Sequence, residues 1–155
     1  MRLLITVFIL CAHLLSGVMA QNRPEGDICG YWFTEEEEAI IAIDAHEDGS
    51  FFGKIVWLIP PHEIDKESPN YGIPQKDVAS GESILNLTIL YDLTTKDGKK
   101  WKGRVYDPRK GSCHRCKIEL SEAKDLLYLR GYIGISLIGR TITWRRASHI
   151  PPERD

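Results

Sequence analysis

Apolar residues along most of this chain recur at every second position, the spacing of a β-strand with one buried face. Turn sequences such as Asp48-Gly49 and Asp97-Gly98 separate the alternating segments, and no ten-residue stretch shows helical periodicity. The pattern predicts eight strands, at residues 29–34, 38–44, 51–59, 83–91, 100–106, 113–121, 125–132 and 141–146. Because no helix would cover a sheet face, we predict an all-β fold, a single antiparallel β-barrel of about eight strands.

One long segment, residues 60–81, interrupts the series of strands. It is polar and contains four prolines, Pro60, Pro61, Pro69 and Pro74. Loops of this length inside a compact domain are often lids or binding loops, and a surface excursion without a function is the competing interpretation. Both interpretations stay open at the level of sequence.

The first twenty residues have the features of a secretory signal peptide. Arg2 precedes an apolar run at residues 3–15, and Val18-Met19-Ala20 supplies small residues for cleavage. The run is short for a membrane anchor, which is the competing interpretation. We therefore expect a protein exported to the periplasm or beyond, with no transmembrane segment after cleavage. Residues 148–155, which include Pro151-Pro152, are expected to form a disordered tail.

The composition and motifs of the chain exclude several classes of function but do not indicate one. The 155 residues include 20 basic and 22 acidic side chains, so there is no basic excess that would indicate nucleic-acid binding. The histidines lack metal-ligand spacing, and no glycine-rich phosphate loop or Ser/His/Asp arrangement is recognisable. We therefore expect one non-catalytic domain without a cofactor or a metal.

Three cysteines remain after the predicted leader, namely Cys29, Cys113 and Cys116. An exported chain with an odd number favours one disulfide and one free thiol. Alternation places Cys29 and Cys113 on outward positions and Cys116 in the core, which favours a Cys29–Cys113 disulfide, and Cys29–Cys116 is the alternative. The Cys113/Cys116 motif lies on a strand rather than at a helix N-terminus, so thiol catalysis is the least favoured function.

Alternation also places several large or charged residues inside the predicted barrel. Trp57 shares a face with Gly53 and Ile55, and Arg140, Trp144 and Arg146 share a face of the last strand. Inward arginines need partners, so they either stack on aromatic rings to close the barrel or meet an anionic ligand group.

Several motifs, spread over residues 26–147, resemble the exported bacterial family DUF2147, a domain of unknown function. They are Gly30-Tyr31-Trp32, Phe52-Gly53-Lys54-Ile55-Val56, residues 101–108 with Gly111, and the glycine-punctuated block 129–146. The Gly30-x-Trp32 start and the late arginines are also similar to the lipocalin and fatty-acid-binding group. That similarity implies a lipocalin-like barrel closed by Trp32 packing on Arg140 or Arg146.

The leading functional hypothesis is a small β-barrel that binds a small, mostly apolar or lipid-like ligand. The ligand would enter near the long loop and contact Trp57, Tyr106, Arg140 and Trp144. The alternative is a filled barrel that serves as an envelope interaction or maintenance protein. Its contact surface would be the long loop and residues 133–138.

Overall fold

The computed structural model describes residues 28–132 and 139–152, so the predicted leader and the proposed contact surface at residues 133–138 lie outside the described part. The strands are β1 (Gly30–Phe33), β2 (Ala39–Ala45), β3 (Phe51–Leu58), β4 (Thr88–Thr95), β5 (Lys100–Asp107), β6 (Ser112–Leu120), β7 (Leu126–Tyr132) and β8 (Thr141–Ala147). Each strand pairs antiparallel with the next, and β8 pairs with β1. The prediction of a closed, eight-stranded, antiparallel all-β barrel is confirmed.

The two ends of the barrel carry different connections. One end, which we call the closed end, holds the start of β1 and three short turns, at residues 46–50, 96–99 and 121–125. The opposite end, which we call the loop end, holds the β1–β2 connection, the β5–β6 turn and a long loop at residues 59–87. The long loop therefore lies at the end of the barrel opposite the start of β1.

Side chains of the described residues form a packed core inside the barrel. Its largest members are the indoles of Trp32, Trp101 and Trp144, which are at most 2% exposed. A Cβ on Gly53 would lie 2.7 Å from Leu90 Cδ1, so no spare volume remains beside this inward glycine. An eight-stranded barrel is just wide enough for its own side chains to fill it, and the described core residues pack against one another in this way.

Strand β4 differs from its predicted position at residues 83–91. It begins at Thr88, and its pairing with β5 shifts between Tyr91 and Thr94 at a bulge. Asp92 has a φ of 52° there. Leu90 and Leu93 are both fully buried, although residues three apart face opposite sides of a regular strand. The bulge therefore broke the alternation on which the prediction relied.

The predicted Cys29–Cys113 disulfide is wrong, because Cys113 is a free thiol. Cys29 precedes β1 at the closed end, whereas Cys113 lies near the start of β6 at the loop end. A disulfide needs Cα atoms less than about 7 Å apart, and the length of the barrel separates these two. The alternative partner, Cys116, is a free thiol that is fully buried in the core.

Candidate functional site

Trp32 and Arg146 seal the closed end. The Arg146 guanidinium carbon lies 4.1 Å from the centroid of the Trp32 ring, and the Trp32 indole donates to the Ile28 carbonyl at 2.9 Å. Arg146 also donates to the carbonyls of Cys29 (3.1 Å) and Lys124 (2.7 Å). Of the two arginines that the lipocalin similarity implied, Arg146 is the one that contacts Trp32. The Arg146 guanidinium is thus held by an aromatic face and main-chain oxygens. Its contacts serve to close the barrel rather than to bind an anionic ligand.

Gly30 makes this closure sterically feasible. Its φ is 126°, a conformation that side chains with a Cβ rarely adopt. The residue lies between Ile28, whose carbonyl accepts the indole hydrogen bond, and Trp32 itself. A glycine is therefore required at the point where the chain enters β1.

Arg140 does not face the interior, and the prediction that it does is wrong. Its side chain is 75% exposed and pairs with Glu35 at 2.8 Å on the outside of the loop end. The residue precedes β8, so the strand's alternation does not extend to it. An anionic ligand inside the barrel would not reach this guanidinium.

Trp57 also lies outside the barrel, contrary to the prediction. The pairing of β2 with β3 shifts between Ile40 and Ile41, which reverses the side on which Trp57 projects. Trp57 pairs with Ile40 and makes an edge contact with Phe33, at 6.3 Å between ring centroids. Ile40 is fully buried between these two rings on the outer surface. Trp57 is thus part of an external aromatic cluster and not a wall of an internal cavity.

Trp144 lies in the filled core, where its indole nitrogen has no hydrogen-bond partner. The indole nitrogen of Trp101, on β5, is likewise buried and unpartnered. An unsatisfied buried donor costs about 1–3 kcal/mol.

Tyr106 joins the barrel wall to the long loop. Its hydroxyl donates to Asp77 Oδ1 at 2.6 Å, and Asp77 is 6% exposed. The amide and hydroxyl of Ser80 donate to the other carboxylate oxygen. The Tyr106 hydrogen bond and those from Ser80 hold the pKa of Asp77 below its ordinary value, and the bond to Asp77 raises the pKa of Tyr106 to about 12.

The structure therefore does not bring the four predicted ligand contacts together. Trp57 and Arg140 are on the outside of the barrel, and Trp144 is in the core. The Tyr106 hydroxyl is hydrogen-bonded to Asp77.

A cleft of ≈ 230 Å³ opens at the base of the long loop. Its lining is mainly apolar, with three polar residues, and consists of Leu58, Ile59, Pro60, Pro61, Pro74, Gln75, Lys76 and Ser83. Gln75 is one of these lining residues, and its side-chain nitrogen is buried without a hydrogen-bond partner. An apolar cleft with one unpaired donor and a nearby cation is suited to a small molecule that carries an acceptor.

Sequence reasoning missed Gln75 and Asp77. Both lie in the long loop, where side-chain direction follows no period, and the length of the loop was the one signal that pointed to this region.

Thiol chemistry has little support from the geometry of Cys116. Burial raises the pKa of this thiol to about 12, so it is protonated at neutral pH and is a poor nucleophile. Within residues 28–132 and 139–152, no three His, Cys, Asp or Glu side chains are placed to hold a metal ion. In the same residues, no helix is long and apolar enough to cross a membrane.

The architecture is that of a lipocalin-like barrel. Protein HP1028 from the human pathogen Helicobacter pylori, described as belonging to the lipocalin family, has a similar structure with a TM-score of 0.58. The two chains are 17% identical over 79% of this chain and 84% of that one, so the likeness concerns the fold. The chain belongs to the family described as "Uncharacterized protein conserved in bacteria (DUF2147)", whose model matches residues 30–146. No curated protein matches it.

Proposed function

We propose that this protein is a non-catalytic binding protein for a small, mostly apolar ligand, and that the ligand occupies the cleft at the base of the long loop. The observation that carries the proposal is the buried, unpartnered amide nitrogen of Gln75, a residue that lines this mainly apolar cleft. A buried donor without an acceptor is costly, and a ligand that supplies the acceptor removes this cost. The lipocalin-like fold is compatible with such a role but does not establish it.

The lining limits the chemistry of the ligand. Leu58 and the prolines offer an apolar surface, while Gln75 and Lys76 offer a neutral donor and a cation. A carboxylate or carbonyl on a short hydrocarbon chain would satisfy both. The cleft is smaller than the roughly 300–1,000 Å³ of typical drug-sized sites, so it holds a short molecule or one end of a longer one.

Calorimetric titration with octanoate tests this assignment. We expect saturable binding that is weakened about tenfold by Gln75→Leu, because one hydrogen bond to a charged group contributes about 1.5 kcal/mol or more. Lys76→Gln should also weaken binding. The matched control is Lys66→Gln, which removes the same charge from the same loop outside the cleft. Equal affinity in all four proteins would refute the assignment.

The predicted leader adds a compartment to the proposal. Because residues 1–20 have the pattern of a signal peptide, we propose that the protein acts outside the cytoplasm, in the periplasm or beyond. Cell fractionation tests this, and recovery of the uncleaved chain in the cytosol would oppose it.

A second function, interaction with another protein through a filled barrel, is favoured by the surface of the long loop. Ile73 is 58% exposed and Val78 is 67% exposed, although both are large apolar residues. Such residues often mark contact surfaces. Crosslinking from position 73 or 78 in cells should capture a defined partner if this function holds, and a protein that binds octanoate but crosslinks to nothing would oppose it.

A further inference from the structure

Basic side chains lie directly opposite one another on the outer face of β5, β6 and β7. Lys102 is the cross-strand partner of Lys117, and Lys117 is the partner of Arg130. In the adjacent row toward the loop end, Arg104 is the partner of Arg115. We call these five residues the basic face.

This arrangement is unfavourable in the isolated protein. Side chains on directly opposed residues are about 5 Å apart at Cβ, and like charges placed there destabilise the sheet. Arg104 has a carboxylate partner in Asp92. In the part of the chain that the structure describes, Lys102, Lys117 and Arg115 form no ion pair. The face is positive although the whole chain has a formal net charge of −2.

We propose that the basic face docks on an anionic phospholipid surface. A row of cations across three neighbouring strands presents its charges to one surface, and each basic residue near an anionic leaflet contributes about 1 kcal/mol to binding. Tyr128, which is 38% exposed, is on the same outer face, in the row next to Lys117. Tyrosine rings suit the boundary between headgroups and acyl chains.

The surroundings of Tyr91 make this ring unsuited to stacking on the bases of a nucleic acid. Proteins that bind single strands combine basic grooves with aromatic rings on which bases stack. Tyr91 is the cross-strand partner of Arg104, whose guanidinium carbon lies 6.0 Å from the ring centroid. Its hydroxyl is bonded to the Thr88 carbonyl. This ring is therefore held in place with a guanidinium near it, which leaves it poorly placed to stack on a base.

Vesicle sedimentation of the purified protein tests the proposal. We expect binding to phosphatidylcholine vesicles that contain phosphatidylglycerol, little binding to pure phosphatidylcholine, and loss of binding as salt is raised. The double variant Lys102→Gln/Lys117→Gln should bind roughly 30-fold more weakly, the equivalent of about 1 kcal/mol for each cation. The control Lys96→Gln/Lys99→Gln removes the same charge from the turn at the closed end and should change binding much less.

Three results would overturn the proposal. They are equal binding to both kinds of vesicle, equal binding of the two double variants, and tight binding of a single-stranded oligonucleotide that the Lys102/Lys117 variant loses.

The stability of a charge-reversal variant provides a second test, because unfolding and vesicle binding should change in opposite directions. Lys102→Glu places a carboxylate opposite Lys117, so it should raise the urea midpoint of unfolding while it weakens vesicle binding. A stabilised variant that no longer binds separates loss of docking from loss of folding. A lowered midpoint would show that the opposed cations are not a cost to the fold, and docking on phospholipid would lose its physical basis. The basic face shares no residue with the cleft at the long loop, so either site can fail without the other.

Discussion

The closed end of the barrel is fastened by an aromatic–cation stack and hydrogen bonds to main-chain oxygens, whereas the loop end is fastened through side chains of one long connection. At the closed end, Trp32 and Arg146 together reach three carbonyls. At the loop end, Tyr106 holds Asp77, and an amide–carboxylate bond of 3.0 Å joins Asn70 to Glu38. The first set joins two strand residues to main-chain oxygens of the adjacent segments, whereas the second joins an irregular loop to the rest of the barrel.

The difference indicates that the two ends of the barrel have different roles. Short turns and a buried indole make the closed end resistant to opening, because opening it exposes a large apolar surface. The long loop exposes Ile73 and Val78 and frames the cleft that contains Gln75. Regions with many exposed groups open at lower free energy, which suits a binding site. The proposed function therefore places ligand contact at the end opposite the one that stabilises the barrel.

The largest expected effect comes from removing the indole at the closed end. Trp32→Ala should lower the free energy of unfolding by about 3–5 kcal/mol, because a fully buried ring, its hydrogen bond and its contact with Arg146 are all lost. Urea unfolding measures the change. The control is Tyr31→Ala, the preceding residue in β1, which is 38% exposed and should cost much less. Similar losses in the two variants would contradict the structural role of the closed end.

A pair of inward glycines tests how closely the β4 main chain approaches β5 at the bulge. Gly103, Cys116 and Gly131 form one row across β5, β6 and β7. A Cβ on Gly103 would lie 2.5 Å from the Tyr91 carbonyl oxygen, whereas a Cβ on Gly131 would meet nothing closer than a Val105 methyl at 3.6 Å. Gly103→Ala should therefore destabilise the protein by about 1–3 kcal/mol, measured by urea unfolding.

Gly131→Ala is the matched control and should change the free energy of unfolding by less than about 1 kcal/mol. Equal and small changes in both variants would contradict the close approach of the β4 main chain to Gly103.

The smallest effect concerns the hydrogen bond between Tyr106 and Asp77. The pKa of Tyr106 is raised from 10.0 to about 12, so its contribution to stability is complete below pH 10.0 and is lost as the pH rises through about 12. The pKa of Asp77 is lowered from 3.8, so its contribution is present above pH 3.8 and is lost as the pH falls further. Tyr106→Phe removes the hydrogen bond at every pH.

The stability difference between wild type and Tyr106→Phe should thus be constant from about pH 5 to 9 and shrink outside that range. Hydrogen exchange should speed up at residues 77–81 in the variant and stay unchanged at the closed end. Uniformly faster exchange would mean that the bond supports the whole barrel and not the loop alone.

Periodicity was sufficient to predict the barrel because each of the eight predicted ranges overlaps one observed strand. It failed where a bulge changes the phase, as at Ile40/Ile41, which turns Trp57 outward, and beside Asp92 in β4. A bulge is a main-chain event that depends on pairing with another strand, so the order of side chains within one strand does not reveal it.

The candidate site was less predictable than the fold. Arg140 lies just before the first residue of β8, so extending the alternation by one residue predicted the wrong side. Strand alternation assigns both Cys29 and Cys113 to the outer side of the sheet. Alternation carries no information about which end of the barrel a residue occupies. Gln75 lies in a loop, where its position depends on contacts that are distant in sequence.

The location of a bound ligand is the most direct test of the proposed division between a filled core and a binding cleft. Amide–nitrogen NMR spectra resolve the side-chain NH₂ group of Gln75 and the indole N–H groups of Trp101 and Trp144 separately. Titration with octanoate should shift the Gln75 signals progressively and leave both indole signals in place, because the cleft is outside the filled core. Shifts of the Trp101 and Trp144 signals with Gln75 unchanged would place the ligand inside the barrel and contradict that division.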